Sequence, residues 1–398
     1  MIKKIYFVIF LILFSADSAM CESQIATNSI DSLTSIIWER TFGDRAIVYR
    51  NELISINANT NDLIVGGYSE VSTKDISQEE GVWIWKINDA GSKICDVNIK
   101  TINIGRITYN LNNIQSMIVG DNGTILLIVS TTKSAVLLIK INFNGEILLS
   151  KSIGETKSIF KTISLSGNNF LLIGEDGGYP VFTKIDETGK ELWSKGSSRN
   201  KYGKFFDGIA TKDGGFLLVE NAGASSDINA DTTDIFIVKY NADGEKQNEK
   251  HLSGKYGNIK IGRNDNVAIV YDKSLSNAQD VWLQVYDNNL VPMWSTSIAS
   301  AILEMGNYRM SLLLNGSYVV VGDQAGIFKP SVSYIDQFGN KIWTYLSKQP
   351  EYGLGTDIVC ADTSCYLVYS IDTLLTEDAK ASKIKVIRFQ PQVTGVVN

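Results

Sequence analysis

The chain has 398 residues, of which 44% are hydrophobic and 20% charged, with a net charge of −6 at neutral pH, one His and four Cys. This is a globular composition, not a disordered one. Its acidic balance speaks against a nucleic-acid partner, which needs clustered Lys and Arg. A single His excludes any multi-His metal site and argues against a Ser-His-Asp or Cys-His nucleophile.

Taken from the N-terminus, Lys3 and Lys4 precede an unbroken apolar run over 5–14, followed by the small residues Ser15, Ala16, Ser18 and Ala19. This is the layout of an export signal, and the run is too short for an ordinary transmembrane helix. The expected division is a signal peptide over 1–21, a flexible segment over 22–32, one folded domain over 33–391 and a tail over 392–398. Cys21 invites a lipid anchor, although Met20 stands where a small residue is usual. Removing 1–21, with Lys3, Lys4 and Asp17, moves the net charge from −6 to −7. No later segment is long and apolar enough to span a bilayer, so the expected address is exported, either periplasmic or secreted.

From residue 81 onward one phrase recurs: an apolar strand, a turn of the form Asp/Asn-x-x-Gly, and a second strand that often carries Trp. It occurs as Trp83–Ile87 before Asn88-Asp89-Ala90-Gly91, and as Leu137–Ile141 before Asn142-Phe143-Asn144-Gly145. It returns as Val181–Ile185 before Asp186-Glu187-Thr188-Gly189, and as Phe236–Tyr240 before Asn241-Ala242-Asp243-Gly244. Fainter copies lie at 282–286, 332–335 and 385–389. Marking each at Lys86, Lys140, Lys184, Lys239, Val285, Tyr334 and Arg388 gives spacings of 54, 44, 55, 46, 49 and 54 residues. Each unit also holds an upstream hairpin with Asn-Gly, Asp-Gly or Gly-Asn turn chemistry, as at Lys212-Asp213-Gly214-Gly215 and Asn315-Gly316-Ser317.

Two hairpins per unit at this period predict four-stranded propeller blades. The fold class is therefore all-β, a seven-bladed propeller. The seventh unit stops after Phe389 without a fourth strand, while 33–43, with Trp38, matches a fourth strand and has no partner beside it. Pairing the two closes the ring and removes exposed edges.

The stretch Ile185-Asp186-Glu187-Thr188-Gly189-Lys190-Glu191-Leu192-Trp193 resembles the Trp-containing repeat of PQQ-like propellers, found in quinoprotein dehydrogenases and in an outer-membrane assembly lipoprotein. The unit from Asp213-Gly214-Gly215-Phe216 to Tyr240 is similar to repeats of secreted bacterial propellers of largely unassigned role. The resemblance implies the propeller fold and export, and little about activity. Leu290 in place of the turn Gly and Gln390-Pro391 at the last turn depart from it. The parts of a quinoprotein site are missing, with no adjacent Cys pair to cover that cofactor.

The loops between second and third strands share one face of a propeller with the links between blades. Three are long: 69–80, 221–233 and 371–382. The first and last belong to neighbouring blades and carry Glu70, Asp75, Glu79 and Glu80, and Asp372, Glu377 and Asp378. They read either as an acidic rim for a cationic or polar partner or as solvated loop tips. In the other long loop, Asp227, Asn229, Asp231 and Asp234 alternate oxygen ligands in the manner of a calcium loop, but without its Gly and terminal Glu. Asx turns produce the same pattern, so Ca2+ is the only cofactor for which the sequence offers ligands.

Tyr recurs shortly before the innermost strands, at 49, 109, 202, 256, 308 and 352. Blade packing explains a repeated Tyr; alternatively Tyr202, Tyr256 and Tyr352, each followed by Gly, line the channel mouth for a sugar or peptide. Glu52, Asp207, Arg309 and Asp357 stand near the same strand starts and do not repeat, so packing does not account for them. Cys360 and Cys365 flank a hairpin turn and are either a cross-strand disulfide or two buried thiols. His251 reads as a surface or interblade residue. The expected function is non-enzymatic binding of a protein or polysaccharide by the loop-bearing face. The alternative is a carbohydrate-active lyase or hydrolase using carboxylates and Tyr at the channel mouth.

Overall fold

The computed structural model describes residues 34–391 apart from 44–46, 57–60, 72–80, 121–122, 155–156, 198–202, 222–233, 275–278, 302–307, 325–328, 347–352, 362 and 377–378. The leader, Cys21 and the C-terminal tail lie outside the described residues. Strand β1 (Thr34–Phe42) comes first. Blade 1 follows as β2 (Ile47–Ile56), β3 (Leu63–Val71), β4 (Gly81–Ile87) and β5 (Lys93–Ile99). Blade 2 holds β6 (Thr101–Ile104), β7 (Ile107–Val119), β8 (Thr124–Thr131), β9 (Val136–Asn142) and β10 (Ile147–Gly154). Blade 3 is β11 (Lys157–Leu165), β12 (Asn169–Asp176), β13 (Tyr179–Ile185) and β14 (Glu191–Gly196). Blade 4 is β15 (Phe205–Ala210), β16 (Phe216–Asn221), β17 (Asp234–Tyr240) and β18 (Lys246–Ser253). Blade 5 is β19 (Lys255–Ile261), β20 (Val267–Ser274), β21 (Gln279–Tyr286) and β22 (Pro292–Ala301). Blade 6 is β23 (Arg309–Leu312), β24 (Tyr318–Gln324), β25 (Lys329–Ile335) and β26 (Lys341–Leu346). Blade 7 is β27 (Gly353–Ala361), β28 (Ser364–Thr376) and β29 (Ala379–Pro391), completed by β1.

The expected seven-bladed ring is therefore the fold. β1 pairs antiparallel with β29, from Thr34 opposite Pro391 to Phe42 opposite Ile384. Each innermost strand packs on the next, β2 on β7, β7 on β11, and so on through β15, β19 and β23 to β27, which returns to β2.

The apolar residues form seven clusters, and each cluster lies between two blades. Leu217 and Val219 of β16 face blade 5, whereas Phe216 and Leu218 of the same strand face blade 3. A middle strand thus buries both faces, which is why it reads as a continuous apolar run and not as an alternation. The outermost strands alternate or are largely exposed, as in β14 and β18. Each fully buried Leu, Val or Phe stabilises by roughly 1.5–3 kcal/mol, so the ring is held mainly by its interblade faces.

The repeated turn has a local and a long-range cause. Asp186 Oδ1 accepts from the backbone N–H of Thr188 (2.9 Å) and Lys190 (3.0 Å), and Asn142, Asn241, Asp287 and Asp336 do the same in their blades. The Gly that follows takes a left-handed φ, +72° at Gly244, and makes the bulge that ends such a turn. The preceding blade then lies against it: a Cβ on Gly244 would stand 2.9 Å from Trp193, and one on Gly339 2.7 Å from Trp294. Trp38 of β1 lies on Gly91 of blade 1 in the same way, so the closing seam uses the ordinary interblade clamp.

Two elements differ from expectation. The segment 371–382 is not an open loop; it continues the β28–β29 ladder from Ile371 opposite Lys383 to Thr376 opposite Ala379. Blade 2 gains a fifth strand, because β6 pairs with the first residues of β7, Thr101 opposite Asn110. A short 3-10 turn at Arg263–Asp265 is the only helical element among the described residues.

Candidate functional site

The innermost strand of a blade is a sheet edge, and its outward N–H groups need partners from elsewhere. Neighbouring inner strands supply them through side chains. Gln115 Oε1 accepts from the Ile159 amide at 3.2 Å, Asn258 Oδ1 from the Met310 amide at 3.1 Å, and Ser311 Oγ from the Cys360 amide at 2.8 Å. Polar residues on these strands are therefore partly ring mortar.

Most inner strands carry a bulge near their start, and the residue after it holds a fixed register against the second strand. Leu53, Ser116, Lys161, Asp207, Asn258, Arg309 and Asp357 are the seven equivalents, opposite Gly66, Ile128, Ile173, Val219, Val270, Val321 and Val368. Three of the four charged candidates from the sequence, Asp207, Arg309 and Asp357, thus stand in one layer. Glu52 is the bulge residue of β2 itself, between Asn51 and Leu53, and its side chain is outside the described residues.

Asp207 is 3% exposed and accepts from four donors. Its Oδ1 meets the Gly208 amide at 2.9 Å and Lys161 Nζ at 3.1 Å; its Oδ2 meets Asn258 Nδ2 at 2.6 Å and the Ile259 amide at 2.9 Å. Burial pushes its pKa up, but Lys161, Lys260 and the two backbone donors outweigh it and hold the carboxyl below its ordinary range. Asp357 accepts from the Ile358 amide at 2.8 Å. There burial outweighs the Arg309 charge, and its pKa is raised. Lys260, two residues beyond Asn258, has its pKa lowered by burial and by Lys161, against the attraction of Asp207 and Asp357. Lys161 and Lys260 were not singled out by sequence. Lys161 is detectable only once the bulge register is known, and Lys260 only once strand direction places it one layer further in.

The remaining candidates divide. Tyr202 and Tyr352 lie outside the described residues, as does the side chain of Tyr256 on β19. Tyr109 is buried and Tyr308 lies within 2.4 Å of a Cβ built on Gly322, so these two are packing residues. Asp227, Asn229 and Asp231 also lie outside the described residues. Asp234, at the start of β17, is engaged by His251 Nε2 at 2.7 Å on the blade surface. Cys360 and Cys365 sit directly opposite each other and form a disulfide. Cys95 is a free, half-buried thiol that donates to the Phe143 carbonyl.

No protein-family model matches this chain, and no curated protein matches it in sequence. Among solved structures, virginiamycin B lyase from Staphylococcus aureus is similar with a TM-score of 0.54 at 8% identity, over 89% of this chain and 99% of that one. Raptor from Chaetomium thermophilum is similar with a TM-score of 0.53 at 8% identity, over 90% of this chain and 30% of that one. A protein from Lactobacillus plantarum is similar with a TM-score of 0.51 at 10% identity, over 81% and 98%. At these identities the likeness is one of fold.

Proposed function

We propose that this chain is an exported, non-enzymatic propeller that engages a protein or a surface polysaccharide through its loop-bearing face. The observation that carries the reading is where the fold is elaborated. The β28–β29 hairpin runs beyond its blade, the long 69–80 connection belongs to blade 1, and the β6–β7 hairpin projects from blade 2. The two hairpins, and the ends of β3 and β4 that the 69–80 connection joins, stand at the same end of consecutive blades 7, 1 and 2. Seven carboxylates, Glu70, Asp75, Glu79, Glu80, Asp372, Glu377 and Asp378, fall on the 69–80 connection and the β28–β29 hairpin, which suits a cationic or polar partner. The leader-like N-terminus, the disulfide and the resemblance to PQQ-like repeats of secreted propellers support export.

The test shortens the β28–β29 hairpin by replacing 373–380 with a two-residue turn. The full-length β28–β29 form retains a discrete periplasmic protein or glycan in pull-down and glycan-array assays. Retention weakens with salt, because surface charges are screened within about 8–10 Å. The shortened form melts at the same temperature and retains nothing. Equal retention by both forms, or turnover of a defined substrate with no retention, would overturn the proposal.

A second reading rests on Asp357. A carboxyl whose pKa is raised beside an arginine, in a channel, has the character of a general acid. A carbohydrate-active lyase or hydrolase built on it would lose turnover in Asp357→Asn without any fall in its melting temperature.

A further inference from the structure

We propose that the central channel is a binding site for a compact multivalent oxyanion, held by Lys260 together with Lys161 and Arg309. This site is separate from the partner face and does not depend on it.

The argument begins with strand geometry. Asn258 and Lys260 are two apart on β19 and share one side of it. Asn258 reaches across to Asp207 and to the Met310 amide, so that side faces the neighbouring inner strands. Lys260 feels the charges of Lys161, Asp207, Arg309 and Asp357, which stand on blades 3, 4, 6 and 7. A group on blade 5 is near all four only if its ammonium points to the ring axis.

Among the described side chains the charges do not cancel. Asp207 is saturated by its four donors, one of them Lys161. Asp357 is a poor counter-ion, because burial works against its charge. Among the described side chains three cations therefore face these two carboxylates, and the Lys260 ammonium makes no hydrogen bond or ion pair. Arg309 is exposed and spends one donor on the Tyr308 carbonyl at 3.2 Å, leaving most of its planar fork for a ligand. Donors converging from blades 3, 5 and 6 match the several acceptor oxygens of a phosphate- or sulfate-like ion. A monovalent halide has no such set of acceptors.

Inorganic phosphate is the probe. It is titrated calorimetrically into the full chain, with sodium chloride at matched ionic strength as the control, and thermal melts are recorded in parallel. Wild type is expected to bind phosphate saturably at one site and to melt higher in phosphate than in matched chloride. Lys260→Gln binds at least about tenfold more weakly, the loss of one charge-assisted bond, and melts higher than wild type without phosphate. Arg309→Gln, altered at an exposed side chain, shows a comparable loss, and Lys133→Gln, on an exposed turn, shows none. If melting follows ionic strength alone, or if Lys260→Gln binds as wild type, the site does not exist. Should Lys260→Gln fail to fold, Arg309→Gln decides: weakened binding supports the site and unchanged binding overturns it. The shortened β28–β29 hairpin retains phosphate binding whatever the fate of the partner face.

Discussion

Asp207 and Asp357 occupy the same register position on different blades, yet their surroundings drive them in opposite directions. Asp207 is held ionised by Lys161, Lys260 and backbone amides, so its contribution to stability is present above the unfolded carboxyl pKa of about 4. That contribution is lost as the pH falls through its lowered folded value. Asp357 has a raised pKa, so its contribution is present below the unfolded value and is lost as the pH rises through the folded one. Asp207→Asn, which strands Lys161 and one backbone donor, should destabilise by roughly 3–5 kcal/mol at neutral pH, with the loss shrinking in acid. Asp357→Asn should raise the melting temperature at pH 7, with the gain fading toward pH 4. Melting curves between pH 3 and pH 8 check both signs, and parallel profiles for the two variants would refute the assignment. That Asp207, Arg309 and Asp357 are not packing repeats is legible in the chain, because each interrupts an otherwise regular strand start. Lys161 and Lys260 escape notice because a Lys near a strand is ordinary until a closed ring brings it beside charges from other blades.

At the scale of elements, the Asp/Asn-x-x-Gly turn is readable because its chemistry is local: a side-chain oxygen that collects two amides and a Gly that takes a left-handed φ. Its second cause, the tryptophan of the preceding blade, is not local. Gly244→Ala should therefore cost more than the about 1–3 kcal/mol of a non-Gly left-handed residue, because its Cβ meets Trp193. Gly105→Ala has a similar φ, +62°, and nothing within 4 Å, so it isolates the backbone contribution. Urea unfolding of the two variants measures the difference, and equal midpoints would remove the clamp from the account. Leu290 shows the limit of the rule. It adopts φ +65° at the same turn and is 4% exposed, its side chain serving the blade 4–5 core where other blades have Gly. The β28–β29 extension is missed in sequence because 371–382 is polar and lacks a turn Gly. A ladder continued from an already formed hairpin needs no strand signal of its own.

The whole molecule depends on one seam where the chain does not run from blade to blade. There Trp38 Nε1 donates to the Asp89 carbonyl at 2.8 Å, and Arg388 reaches that carbonyl at 2.8 Å and the Asp89 carboxylate at 2.7 Å. Trp38 is also largely buried against Tyr366 and Gly91. Trp38→Ala should lower stability by about 3–5 kcal/mol, and limited proteolysis should release an N-terminal peptide before any blade is cut. Cleavage starting elsewhere would show that the seam is not the weakest point. Blade number, strand order within a blade and the closing strand are determined by the sequence itself, because repeat spacing, turn chemistry, an unpartnered first strand and an incomplete last unit are local facts. Only the tertiary structure decided which charges share the axis, which carboxylate is stabilised, that Cys360 and Cys365 are bonded, and that blades 7 and 2 carry extended hairpins. Those depend on residues some fifty positions apart meeting across a closed ring, where burial and neighbouring charge outweigh anything a residue's own segment encodes.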